Sequence, residues 1–444
     1  MIRFRLASRS SSTRSTKSEG WAKSTVLKSS FGKTLLIATL LCLWEGLPFT
    51  ILDLPKIYGL QVFAVVIFAG TGAFIFRAFR GDVDIGWWER LAFLLFVYCV
   101  CISFIYSNFI RPQPFVAWVF AVYSVTPILM LFALRAMNCT IGDAMSALFW
   151  TGFIGSVALT VNQTFDLRLL EFYERGSAFG DDRVVFFKLE SCFCVVISVV
   201  SLLHARSGRQ LLVYLVAFAF TTYSIFFLTE SRLAILAVSL ALILIWLFVL
   251  SGKRKVLLFL ISPWVALSMG IFVLNKYLTE FKGFSAYLSE DTSASWRRVT
   301  IEHFGRYFSE TGGLGFGFMS ASPNYTNIIS YSSNYASADY GVVNYVVSLD
   351  DIGIFSALYQ YGYVGISLMV LMTFVIAASL FRTKREGKAY LPIASVGILV
   401  ATFMLSPISM NYFTLFYTAH VGGVLWFMAA GAGRLRTQKK GGSR

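Results

Sequence analysis

Apolar residues in this chain come in long unbroken runs separated by short polar connections, and neither a helical nor a two-residue amphipathic period dominates. Runs long enough to cross about 30 Å of hydrocarbon recur at residues 34–52, 58–76, 91–110, 115–134, 142–162, 184–204, 210–228, 233–251, 256–275, 352–380, 390–409 and 412–432. A span of that length satisfies its backbone hydrogen bonds only as a helix. The pattern therefore predicts an all-α, polytopic integral membrane protein with about twelve transmembrane helices. It divides the chain into a tail at 1–33, helices one to nine over 34–275, a loop at 276–350, helices ten to twelve over 351–432, and a second tail at 433–444. No internal repeat is visible.

The loop is the only long polar interval. It holds Trp296-Arg297-Arg298, the run Gly312-Gly313-Leu314-Gly315-Phe316-Gly317, and a tract rich in Asn, Ser and Tyr from 324 to 344; it ends at Asp350-Asp351, where the chain re-enters hydrocarbon. Short connections are the rule in compact proteins, so one long loop loaded with charges, glycines and aromatics points to use. We take it as half of an active site.

Composition agrees with the pattern: 57% of residues are hydrophobic and 14% charged, far from the values of a soluble domain. A net charge of +15 would suggest nucleic acid in a soluble protein. Here the charge sorts by topology instead, and no nucleic-acid partner is expected. With the amino terminus inside, the cytoplasmic connections carry Arg77, Arg80 and Arg90; Arg135; Arg206 and Arg209; Lys253, Arg254 and Lys255; Arg382, Lys384, Arg385 and Lys388; and Arg434, Arg436, Lys439, Lys440 and Arg444. Every inside connection is basic, which places both termini in the cytoplasm. The Arg- and Ser-rich start has the composition of a transit peptide, but a spanning segment follows it, so a basic cytoplasmic tail is the simpler reading. The six cysteines form neither a disulfide framework nor a metal site and read as small buried hydrophobes.

The opposite face gathers Arg168, Arg175, Arg183, Lys188, Arg232, Arg297, Arg298 and Arg306. Cations on the disfavoured side call for an anionic ligand, and the planar fork of arginine suits phosphate or pyrophosphate. Arg168 and Arg306 are read instead as solvated partners of nearby carboxylates. Arg232 lies in a very short turn between two apolar runs, which fixes its guanidinium at the membrane surface where a lipid headgroup would sit.

Thr229-Glu230-Ser231-Arg232-Leu233 opens a leucine-rich run; Arg298 precedes Gly315-Phe316-Gly317; and Asp351-Ile352-Gly353-Ile354 precedes Tyr361-Gly362-Tyr363-Val364-Gly365. In order and spacing these segments, over roughly residues 170–380, resemble the bacterial O-antigen polymerase and ligase family. The resemblance implies a GT-C-like inverting glycosyltransferase of the bacterial inner membrane, with the loop in the periplasm. It also implies a donor and an acceptor glycan on undecaprenyl pyrophosphate, a chain-length regulator and a flippase as further partners, and neither metal nor cofactor. In the ligase branch a His-Asn pair follows the loop; Asp351-Ile352 stands there here, which is similar to the polymerase branch. The Arg-x-x-Gly element of the family is matched loosely at Arg175.

The chemistry can be argued beside the resemblance. A sugar pyrophosphoryl lipid carries its own leaving group, so the enzyme must neutralise charge on the pyrophosphate and align an acceptor hydroxyl with the anomeric carbon. Arg232, Arg298, Arg297, Arg175 and Arg183 are the candidates for the first task; Asp351, and after it Glu230, are the candidates for proton acceptor. Capping of the helix that follows is an equal reading for Asp350, whereas for Asp351 the proton-acceptor role is favoured. His303 reads as a solvated loop histidine, Asp82-Val83-Asp84 as a charged cytoplasmic turn, and the loop tyrosines mainly as interface residues. Glu190 and Lys188, at the outer end of a helix, suggest an intramembrane ion pair or a substrate contact, but their spacing of two puts them on different faces. A related ligase and a polysaccharide or lipid transporter are the alternative readings; the latter would show two-half symmetry, which is not seen.

Overall fold

The computed structural model describes residues 29–52, 57–165, 187–205, 207–228, 232–249, 292–318, 330–337, 341–348, 352, 354–383, 391–404 and 419–441. In chain order the helices are α1 (Phe31–Glu45), α2 (Leu47–Ile51), α3 (Ile57–Phe79), α4 (Trp87–Ile105), α5 (Phe115–Ala121), α6 (Met130–Ala136), α7 (Ile141–Thr164), α8 (Lys188–Leu202), α9 (Gly208–Tyr223), α10 (Arg232–Leu244), α11 (Thr292–Glu310), α12 (Ile354–Arg382), α13 (Leu391–Met404) and α14 (Ala419–Gly441). Among the described residues, six segments are long and apolar enough to cross a bilayer: Tyr58–Phe79, Trp87–Ile110, Phe115–Ala136, Ile141–Thr164, Gly208–Leu228 and Ile354–Arg382. Large apolar side chains point outward along them, with Val65 68%, Ile154 60% and Phe374 52% exposed. A surface of that kind is stable against lipid and not against water, so the protein is a helical membrane protein.

Local sequence explains several element boundaries. Pro127 has no N–H to give, and the Phe115–Ala136 segment passes through a 3₁₀ stretch, Val122–Leu129, that contains it. Thr140 caps α7: Asp143 N–H donates to Thr140 Oγ1 at 3.2 Å, and Thr140 N–H returns to Asp143 Oδ2 at 2.8 Å. The second oxygen of the buried Asp143 accepts the Ser30 N–H at 2.8 Å, which ties the start of α1 to the start of α7.

That end of the bundle is the basic one. Lys33 donates to the Asn138 carbonyl, and Arg77 donates to the Ala136 carbonyl at 2.7 Å, capping α6. Arg135 meets the buried carboxylate of Glu89 at 2.7 Å and lies over the Phe74 ring. Asp82 and Asp84 lie exposed in the same region, in agreement with their reading as a charged turn. At the opposite end Gly313, Phe316 and Gly317, from the long polar interval, meet the backbone of α12.

One apolar core joins most of the helices: α7 packs on α1 and α8; α8 on α9, α10 and α13; and α12 on α13 and α14. The Asn-, Ser- and Tyr-rich tract contains a two-stranded antiparallel hairpin, β1 (Ser330–Ser337) paired with β2 (Gly341–Ser348), with Ser330 opposite Ser348 and Ser337 opposite Gly341. Its polar composition hides it, but Val342, Val343, Val346 and Val347 in β2 are β-branched residues that favour extended backbone. Of the cysteines, all free, Cys101 departs from the expected burial and faces outward.

Candidate functional site

The long polar interval is fastened to the bundle at a break in α12. Gly362 there has φ 68° and ψ −174°, outside the helical region and in the part of φ space that favours glycine. The break frees backbone groups that an unbroken helix would pair internally, and in a membrane these need other partners. The glycine run supplies them. Phe316 N–H donates to the Tyr359 carbonyl at 3.0 Å, Gly317 N–H to the Gln360 carbonyl at 2.6 Å, and Tyr363 N–H to the Gly313 carbonyl at 3.1 Å. Tyr98 Oη donates to the Tyr361 carbonyl at 2.7 Å. The approach is close enough that a Cβ on Gly315 would stand 2.6 Å from the Gly362 nitrogen.

A separate apolar cluster seals this junction. Tyr106 from the end of α4, Phe304 from α11, Phe316 from the glycine run, and Ile352 and Tyr359 around the start of α12 pack together. Tyr359 Oη also donates to the Ile301 carbonyl of α11 at 3.1 Å. Arg111 pairs with Glu310 at 2.8 Å at the exposed rim, and Ser103 Oγ donates to the Phe318 carbonyl while accepting from Trp118 Nε1 at 3.0 Å.

The junction gathers some of the sequence candidates by their backbone. Arg297 and Arg298 lie in α11, whose Ile301 carbonyl accepts the Tyr359 hydroxyl of α12. Their side chains fall outside the described part of the structure. Asp351 also lies outside it, yet its neighbour Ile352 is anchored in the cluster. Arg232 is the first residue of α10, which packs on α8 and α13; its side chain is likewise outside the described part, as are Glu230, Arg175 and Arg183 altogether. His303 lies against Phe304 and Tyr307, and Arg306 is exposed.

Two sets of residues here were passed over by sequence reasoning, except for Glu190. Ser356 and Gln360, four apart on α12, are buried, and the Ser356 hydroxyl, both Gln360 amide atoms and the Tyr361 hydroxyl have no hydrogen-bond partner among the described residues. Such groups can hold the hydroxyls of a sugar. The second set lies about midway along the bundle, where the start of α8 meets Gly152 of α7. Glu190, in the first turn of α8, meets His420 of α14 with Oε1 at 2.7 Å from Nε2, and Glu45, the last residue of α1, brings its own Oε1 to 3.4 Å from that nitrogen. All three are buried, and Trp44 stacks on the imidazole. The available signal was an ionisable residue inside each of three apolar runs, Glu45, Glu190 and His420.

No protein-family model matches the chain, and no curated protein matches it in sequence.

Proposed function

We propose that the protein is a polysaccharide polymerase of the bacterial inner membrane, which transfers glycan from undecaprenyl pyrophosphate to a lipid-linked repeat unit on the periplasmic face. The observation that carries this reading is the apolar cluster of Tyr106, Phe304, Phe316, Ile352 and Tyr359. It unites the helix bearing Arg298, the Gly315-Phe316-Gly317 run and the residue after Asp351, three segments on which the resemblance rests. The junction stands at the bundle end opposite Lys33, Arg77 and Arg135, which is the periplasmic end if the basic end is cytoplasmic. In the full reading about twelve spans carry both termini to the cytoplasm.

In the reaction the acceptor hydroxyl oxygen bonds to the anomeric carbon as the bond from that carbon to the pyrophosphate oxygen breaks. The electron pair leaves with the pyrophosphate, whose charge Arg232 and Arg298 neutralise, with Arg297, Arg175 and Arg183 as further cations. Asp351, or Glu230 in its place, takes the hydroxyl proton; a positioned base of this kind contributes on the order of a hundredfold to ten-thousandfold. Ser356 and Gln360 supply hydrogen bonds to the sugar. Membrane lipid surrounds the site, and a flippase and a chain-length regulator complete the route.

A gel of lipid-linked glycans from cells with and without the gene tests the reading. A polymerase leaves single repeats when removed. Long lipid-linked chains in the deletion would make the protein a ligase, and unchanged glycan would refute both.

A further inference from the structure

We infer that Glu45, Glu190 and His420 form a binding site for one divalent transition-metal ion, zinc being the best fit, which joins α1, α8 and α14 inside the bundle. The inference does not depend on the polymerase reading.

Charge is the first argument. Two ionised carboxylates beside a neutral imidazole would put two negative charges where Glu45, Glu190 and His420 are 6%, 1% and 0% exposed, a state that low-dielectric surroundings penalise heavily. A divalent cation cancels both charges at once. Lys188 does not share the position of Glu190, since it lies two residues earlier and so on a different face of α8.

Geometry is the second. The ligand atoms of all three residues lie within 4.8 Å of one another. Zinc bonds to imidazole nitrogen and carboxylate oxygen at about 2.0–2.2 Å, so two ligands of a tetrahedral ion stand about 3.4 Å apart. Glu45 and His420 already have that separation, 3.4 Å; Glu190, at 2.7 Å, must open by less than an ångström, within reach of a side-chain torsion. One imidazole and two carboxylates is also a mixed donor set of the type that zinc and manganese accept and that softer ions do not favour.

The surroundings hold the ligands in place. Trp44 stacks on the His420 ring with centroids 5.9 Å apart, and the other ring nitrogen, Nδ1, has no hydrogen-bond partner among the described residues, so the polar contacts of the ring are all directed at the two carboxylates. The first turn of α8 is pressed onto α7: a Cβ on Gly152 would strike the Glu190 carbonyl, and the buried ring of Phe187 fills the space beside Gly155. A ligand set drawn from three helices far apart in sequence would close the bundle by its metal.

The test uses the full chain, purified in detergent through an affinity tag free of histidine. Bound metal is measured by mass spectrometry as isolated, and again after incubation with Zn2+, Mn2+ or Fe2+ and removal of excess ion. The expected result is one ion per chain, lost in Glu45→Gln, Glu190→Gln and His420→Gln, with a rise in melting temperature on adding the ion to the wild type and none in the variants. Should the variants fail to fold, X-ray absorption at the metal edge of the wild type decides: one imidazole and a remainder of oxygen ligands is expected, and a sulfur-rich shell contradicts the site. A monodisperse wild type that takes up none of the three ions overturns the inference and leaves a proton-shared cluster. An ion retained by the Glu45→Gln/Glu190→Gln double variant overturns it as well.

Discussion

At the scale of single residues, Gly362 and Gly315 join the polar interval to α12 by backbone contact, beside the exposed pair of Arg111 and Glu310. An alanine at Gly362 would have to hold φ near 68° and place its Cβ against the Gly313 and Leu314 carbonyls. That combination of φ near 68° and ψ near −174° is open essentially to glycine and costs other residues about 1–3 kcal/mol, and the clash adds to it. Gly362→Ala should therefore lower the melting temperature and make the 276–350 interval more sensitive to protease, as limited proteolysis in detergent would show. Arg111 and Glu310 are both substantially exposed, and Arg111→Ala should change stability by no more than about 1 kcal/mol. Equal effects of the two substitutions would mean that the backbone interlock is not what holds the interval. The role proposed for Asp351 is also open to test at this scale. Asn caps a helix as well as Asp does but cannot take a proton, so Asp351→Asn should leave abundance unchanged and lower polymer formation roughly a hundredfold or more. Near-normal turnover would return Asp351 to a capping role. Both glycine motifs could be read in the sequence, but their contact could not, since no local signal links residues some forty-five positions apart. Glu190 stood out as an ionisable residue in an apolar run, whereas its partner His420 belongs to another run altogether.

Among elements, Glu89 and Arg135 hold the basic end by a pair in which Glu89 is almost wholly buried. Removing only the cation leaves a buried carboxylate, which typically costs about 3–5 kcal/mol. Arg135→Leu should thus destabilise the protein strongly in thermal unfolding, and Glu89→Gln added to it should recover part of the loss. Additive losses would show that the two side chains act separately. At this scale much was legible. The runs at 58–76, 142–162 and 352–380 correspond to α3, α7 and α12, because hydrocarbon length fixes both run and helix. The departures have local causes that hydropathy does not record: the 3₁₀ stretch around Pro127, the glycine break inside α12, and the hairpin, whose strands are paired by backbone groups.

For the whole molecule, the separation of charge is the main structural support for orientation. Lys33, Arg77 and Arg135 converge at one end and the glycine junction lies at the other, with the Glu45, Glu190 and His420 cluster about midway between them. Reporter fusions after Arg135 and after Arg385 should therefore signal cytoplasm and one near Tyr331 periplasm; a cytoplasmic signal from Tyr331 would remove the proposed site from its substrate. The proposed arginine site draws on two elements, α10 through Arg232 and α11 through Arg298. Either arginine to alanine should remove a charge-assisted contact worth about 1.5–3 kcal/mol and shorten the polymer, with only partial rescue by lysine. The most direct measurement gives the purified protein lipid-linked repeat units in vesicles and resolves the products on a gel. The account predicts a ladder of elongated lipid-linked glycan from the wild type and little or none from Asp351→Asn at equal protein. Single repeats that remain single with active, correctly inserted wild-type protein would contradict it.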